Sequence, residues 1–366
     1  MRTSPRRLLE AVLVAAMLAT STMGMGWEQR APEVAVAPWI DTGNRAAVAR
    51  AYAATFGTGE PVLDWSGHQD GCDAGTSDAT FRSATIDRVN YYRAMAGVPA
   101  TIIEEAELSA KAQEAAIMMS AEGRLSHEPD AGFACYNPTG AEAAANSNLY
   151  LGRNGPNAID GYIEDPGEDN ADVGHRNTIL HPPTRRMGVG DVDRSELGYS
   201  ANALWVFDSR VFDEGVAGHQ SPMREADRFV AWPPRGYIPA PLIHPRWSFT
   251  LAGADVSAAE VTMFDPAAAE GEGEVPLRVV SRTGAPGHVP LPTVVWEPEI
   301  NLSPERDTDY VIVITGIVPE DIAPAAPVAD IHPAYTYTVR IMGDAPSGQL
   351  TVSEALSRFY GLRTAG

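Results

Sequence analysis

Gly174-His175-Arg176-Asn177-Thr178-Ile179-Leu180 is a helix-length run opened by a glycine and stopped by His181-Pro182-Pro183. Just beyond it, Met187 to Val192, which contains Gly188-Val189-Gly190, reads as a strand, and Asn202 to Phe207 reads as a second. Upstream, Ser126-His127 directly follows a predicted helix. Between the two histidines lie Asn146-Ser147-Asn148-Leu149-Tyr150-Leu151-Gly152 and Ala158-Ile159-Asp160-Gly161-Tyr162. The helix before His127 runs from Glu104 to Arg124, with Leu108, Ala112, Ala115, Ala116 and Met119 in one apolar stripe and Gly123 as its stop signal. Further out, Ile86, Val89 and Arg93 fall on helical spacing that ends at Gly97-Val98-Pro99. Pro156 to Ile163 reads as another helix, Asn44 to Phe56 has helical composition, and Gly57 to Ser83 is rich in turn residues.

This ordered set of segments resembles the CAP superfamily, which includes cysteine-rich secretory proteins, venom antigens, plant pathogenesis-related proteins and many secreted bacterial proteins. The resemblance covers residues 81–212. It implies an α-β-α sandwich, and helices first with strands paired late fit that expectation. It also implies that His127 and His175 face each other across a cleft, usually beside two glutamates. The first family glutamate, in a Gly-Glu-Asn-Ile-like motif, matches Ser147 within Asn146-Ser147-Asn148-Leu149. The second usually lies three residues after a tryptophan; Tyr162 holds that place here and puts Asp165 at the carboxylate position. Glu142 substitutes for the first only if the backbone brings it round, and Asn148 and Asn177 line the expected cleft.

Neutral imidazole and carboxylate are the ligands of zinc and similar divalent ions, and a catalytic zinc needs three protein ligands with one open position. His127, His175 and Asp165 are therefore the candidate metal ligands and candidate catalytic residues, with Zn2+ or another divalent cation as the candidate cofactor. A metal-dependent hydrolase also needs a base within hydrogen-bonding reach, for which Asp165 or Glu164 is available. A Ser147–His nucleophile pair lacks any nucleophile elbow around it. Plainer roles compete with each of these. His175 can order the turn that opens its helix, and His127 at a helix end is favoured by the macrodipole. The run Asp165-Pro166-Gly167-Glu168-Asp169-Asn170-Ala171-Asp172 offers oxygen ligands for calcium, but it lacks EF-hand spacing and reads more simply as a solvated loop. His68, Asp70, Cys72 and Asp73 read as turn chemistry, Trp205 as core, and Arg185 and Arg186 as surface charges.

The 366 residues favour two domains. Arg2, Arg6 and Arg7 precede an apolar run from Leu8 to Thr20 and small residues up to Gly26, so residues 1–26 read as a signal peptide with no further membrane span. The net charge of -21, with Lys111 the single lysine, excludes nucleic acid as a partner. In an exported chain, Cys72 and Cys135 read as a disulfide, worth about 4 kcal/mol on the chain-entropy model, that ties the extension at 27–80 to the segment after His127.

Composition changes after residue 213. Residues 213–232 read as a linker, 233–343 as an all-β immunoglobulin-like sandwich and 344–366 as a tail with one candidate helix, Val352 to Tyr360. Strand-like stretches occur at Trp247–Leu251, Glu260–Phe264, Val275–Ser281, Thr293–Trp296, Tyr310–Ile314 and Tyr335–Ile341, and Tyr310 is placed as a tyrosine corner. The fold class expected is α+β: a CAP-type α-β-α sandwich followed by the immunoglobulin-like sandwich. Three functions are compatible with it. The first is a non-catalytic extracellular or cell-envelope protein that binds a protein, glycan or lipid ligand. The second is a divalent-metal-dependent hydrolase of peptide or cell-wall material, and the third a lipid- or sterol-binding protein.

Overall fold

The computed structural model describes residues 39–57, 59–193, 199–208, 229–269, 272–284, 291–319 and 334–344. The expected signal peptide, most of the expected linker and the expected tail helix lie outside these residues. Helix α1 (Arg45–Phe56) starts where the Asn44 side chain accepts the N–H groups of Ala46 and Ala47. Helix α2 (Ala79–Ala96) starts well before Ile86, because the Asp78 carboxylate accepts the Phe81 N–H and caps it there. Strand β1 (Ile103–Glu104) leads into α3 (Ala106–Glu122), which Gly123 ends at φ 74°, donating its N–H to Met119. Helix α4 (Pro138–Ala145), β2 (Ser147–Leu151), α5 (Gly155–Glu164) and α6 (Gly174–Ile179) follow, then β3 (Arg186–Val192) and β4 (Ala201–Trp205). Sequence reasoning missed α4, although Asn137 caps it and Pro138 opens it.

The four strands form one sheet in the order β1-β3-β4-β2, with β1 parallel to β3 and the other pairs antiparallel. Helices cover both faces. On one side Ala112, Ala115, Ala116 and Met119 of α3 and Ala143 and Ala144 of α4 pack on Leu149, Val192, Ala203 and Trp205. On the other, Val89, Tyr92 and Met95 of α2 and Ile159, Tyr162 and Ile163 of α5 pack on Met187, Val189 and Leu204. The Gly188-Val189-Gly190 motif is explained by the first face. A Cβ at Gly188 would lie 2.3 Å from the Leu108 backbone, and one at Gly190 2.2 Å from the Ala112 backbone, so α3 rests directly on β3.

The chain then builds two four-stranded sheets. One, all antiparallel, has the order β10 (Leu277–Thr283), β11 (Thr293–Pro298), β7 (Trp247–Thr250), β5 (Val230–Trp232). The other has the order β6 (Gly236–Pro239), β14 (Tyr335–Met342), β12 (Thr308–Thr315), β9 (Glu260–Phe264), with β6 and β14 parallel. Two short strands, β8 (Ala254–Asp255) and β13 (Val318–Pro319), pair separately. Side chains of the two sheets share one core; Trp247 meets Tyr310 at 6.3 Å and Phe249 meets Tyr335 at 5.2 Å between ring centroids. The Tyr310 hydroxyl donates to the Asn301 carbonyl at 2.8 Å and accepts its N–H at 3.0 Å, the local arrangement of a tyrosine corner. That core runs on into the α-β-α layers through Tyr92 and Trp232, 5.2 Å apart. Strands β5 and β6 lie where prolines left no readable period. Among the described residues no helix is long and apolar enough to cross a membrane.

Candidate functional site

Helix α5 ends at Asp165, which adopts the left-handed conformation at φ 53° and returns its N–H to Gly161. That turn carries the carboxylate back over the start of α6. Val173, the residue before α6, has no side chain able to cap a helix and is itself left-handed at φ 50°, a costly conformation for a β-branched residue. Asp165 supplies the cap from the neighbouring helix. Its Oδ2 accepts the N–H groups of His175 at 3.0 Å and Arg176 at 3.3 Å, and its Oδ1 lies 2.7 Å from His175 Nδ1. A carboxylate oxygen accepts in this contact, so His175 Nδ1 carries the proton. Asp165 is fully buried while the His175 side chain is 24% exposed, so the ring edge is the accessible part of the pair.

The buried Tyr162 ring backs His175 at 5.4 Å between centroids. Its hydroxyl lies 2.8 Å from Asn202 Oδ1, and Asn202 Nδ2 donates to Asp191 Oδ1 at 2.8 Å. Asp191 also accepts the Gly155 N–H at 2.7 Å, but its Oδ2 has no hydrogen-bond partner among the described residues, and burial pushes its carboxyl up to about 6. Asn148 Nδ2 donates to the His175 carbonyl at 3.1 Å, and Asn148 Oδ1 accepts the Thr178 hydroxyl at 3.0 Å.

The β-region locks this wall from behind. The Arg176 guanidinium is fully buried and donates to the carbonyls of Ile163 and Glu164 and to the Arg246 carbonyl and Ser248 hydroxyl of the β-region. Desolvation lowers its pKa to about 10, with Asp165 acting against that shift. Arg246 answers in the other direction, donating to the carbonyls of Asp165 and Asn170, both at 2.9 Å. Asn177 Oδ1 accepts the Thr250 hydroxyl at 3.2 Å, so this expected cleft residue is instead part of the join. No local sequence signal marks Arg246, Tyr162 or Asp191 as supports of His175; Arg176 stood in the quoted motif without a role.

His127 belongs to the opposite layer. It is exposed, and its Nδ1 lies 2.8 Å from the Ala144 carbonyl at the end of α4; a carbonyl only accepts, so Nδ1 donates, and Nε2 has no hydrogen-bond partner among the described residues. Ser147 follows on β2, where alternation places it on the face of Leu149 and Leu151, towards α3 and α4, and opposite Asn148. Its hydroxyl is buried and makes no hydrogen bond. Glu142 is held by Lys111 at 3.0 and 3.1 Å, and Lys111 in turn lies over the Trp205 ring. Glu164 lies 3.9 Å from Arg153. The loop after Asp165 folds through a short 3-10 turn at Glu168–Asn170.

A catalytic zinc would need a third ligand beside two imidazoles. Asp165 is saturated by three donors, and among the described residues no three His, Cys, Asp or Glu side chains are grouped to hold a metal ion. The residues present do not fit that group. The disulfide pairs Cys72 with Cys135, both left-handed, and so fastens the extension beside the segment that carries His127. His68 and Asp73 form a backbone bridge around the turn that holds Cys72. Arg186 pairs with Glu105 at 2.5 Å, as a surface charge would.

A search of curated proteins finds no match to the chain. A family model, described as the cysteine-rich secretory protein family, matches residues 86–209, which span α2 from Ile86, the whole sheet and both histidines. Residues 86–209 are thereby shown to form a CAP domain, the domain of the cysteine-rich secretory protein family.

Proposed function

We propose that this is an exported binding protein of the extracellular space or cell envelope, and that its histidine cleft recognises a ligand without a metal. The observation that carries this reading is the commitment of Asp165. Its two oxygens serve His175 and the start of α6, so they are not open as a third metal ligand beside the two imidazoles. What remains accessible is a pair of imidazole edges with Nε2 free, suited to accepting hydrogen bonds from a protein, glycan or lipid headgroup. We read the β-region as an immunoglobulin-like module, supported by its two packed four-stranded sheets and the Tyr310–Asn301 bonds. Its part is to hold the cleft rigid and present a second surface. The disulfide agrees with an oxidising compartment.

A second reading, a hydrolase, is favoured by one feature: a buried carboxylate holding a histidine in the tautomer of a general base. Zinc titration calorimetry on the purified protein, beside the His127→Ala/His175→Ala double variant, separates the two. The binding reading predicts no stoichiometric zinc uptake by either protein. One equivalent of zinc bound by the wild type and lost in the double variant would overturn it and favour the hydrolase.

A further inference from the structure

A second recess lies away from both histidines, between the disulfide-anchored segment around Ser77 and one face of α3. Ser109, Ala110, Gln113 and Glu114 recur along that helix at the spacing of a single face and form the floor, while Arg82 of α2 and Glu104 of β1 close one end. The cavity measures about 240 Å³. That is smaller than the roughly 300–1,000 Å³ of sites for drug-sized ligands, so the occupant is a small one. Ser77 and Arg82 precede residues 86–209, so part of this wall is built by sequence outside the family match.

The chemistry of the wall is specific. Arg82 donates through Nε to Glu104 Oε1 at 2.6 Å and through one terminal nitrogen to the Ser77 carbonyl, which leaves its other terminal nitrogen without an acceptor among the described residues. Glu104 Oε1 also accepts the Ser109 hydroxyl at 2.8 Å, while its Oε2 has no donor among the described residues. Glu114 gives one oxygen to Asn137 at 3.0 Å and keeps the other. Gln113 is committed at both ends, to the Ala74 carbonyl, the Asp191 carbonyl and the Asp191 N–H, and so makes a rigid floor. Ser77, only 2% exposed, lines the same recess with a hydroxyl that has no hydrogen-bond partner among the described residues. One guanidinium edge beside two carboxylates offers a place for an anion and a stronger place for a cation within a single small cavity.

We propose that this recess binds a small zwitterion of the free α-amino acid class, with its carboxylate on Arg82 and its ammonium group on the free oxygens of Glu104 and Glu114. The excess of carboxylate in the wall favours a basic side chain. The site is separate from the histidine cleft, and its existence does not depend on what that cleft binds.

The test is titration calorimetry of the purified full chain with L-lysine, glycine and L-glutamate in turn. The expected result is binding at one site, strongest for L-lysine and weakest for L-glutamate. Ala110→Trp, at an exposed position on the recess floor, should abolish it. Glu114→Gln, which removes a charge and leaves the cavity open, should weaken L-lysine binding by about tenfold. The His127→Ala/His175→Ala variant should bind L-lysine as the wild type does. The absence of heat with all three amino acids at millimolar concentration would overturn the proposal, as would L-lysine binding unchanged in both Ala110→Trp and Glu114→Gln.

Discussion

His175 is fixed through its ring and its backbone to one fully buried carboxylate, whereas His127 holds on by a single bond to the Ala144 carbonyl from an exposed position. Behind the first stand Tyr162, Arg176 and the β-region's Arg246; the segment that carries the second runs on to Cys135 and its disulfide with Cys72. A buried carboxylate is costly unless every oxygen is supplied with donors, and three N–H groups supply Asp165. The comparison teaches that the two imidazoles, alike in sequence logic, differ in preorganisation. One is an internal part of the fold with its edge showing, and the other is an exposed side chain on a segment that a disulfide anchors.

The comparison is broken most severely on the His127 side by removing the disulfide. Cys72→Ala/Cys135→Ala should cost about 4 kcal/mol in urea unfolding while leaving the Asp165–His175 contacts intact in the protein that remains folded. On the other side, Asp165→Ala leaves the ring N–H and two backbone N–H groups without partners, and a loss of about 3 kcal/mol is expected from the same measurement.

A pH series sharpens the comparison, because the network behind His175 contains Asp191. Burial raises its folded pKa to about 6 from the ordinary carboxylate value, so the folded state holds its proton more tightly than the unfolded chain does. The associated stabilisation is complete below the ordinary carboxylate pKa and is lost as pH rises through about 6, amounting to on the order of 3 kcal/mol. Wild type minus Asp191→Asn stability, followed by chemical denaturation between pH 4 and 7, should therefore fall across that window. The smallest effect is expected from His127→Ala, within about 0.5 kcal/mol of wild type, since one exposed hydrogen bond is all it removes.

Much of this was legible in the chain. The apolar stripe and glycine stop of α3 gave its span to within two residues, because packing period and helix termination agree there. The core strands of the β-region were readable from β-branched and aromatic runs. Strands β5 and β6 were not, because Pro233 and Pro234 interrupt the run between them, and β6 pairs with β14 far along the chain. At the site, the identities of His127 and His175 were readable but the role of Asp165 was not. A one-residue left-handed turn decides whether its carboxylate points into a cleft or back onto a helix, and no periodicity encodes that turn. Ser147 was a missed opportunity, since strand alternation alone sets it opposite Asn148.

The central claim is that Asp165 serves His175 and not a metal, and the imidazole ring nitrogens report on it directly. Long-range ¹H–¹⁵N spectra of the full chain at neutral pH, before and after one equivalent of zinc, are predicted to show His175 protonated at Nδ1, unchanged by the metal and altered in Asp165→Asn. Zinc-dependent shifts of the Nε2 signals of both His127 and His175 at one equivalent would contradict the account.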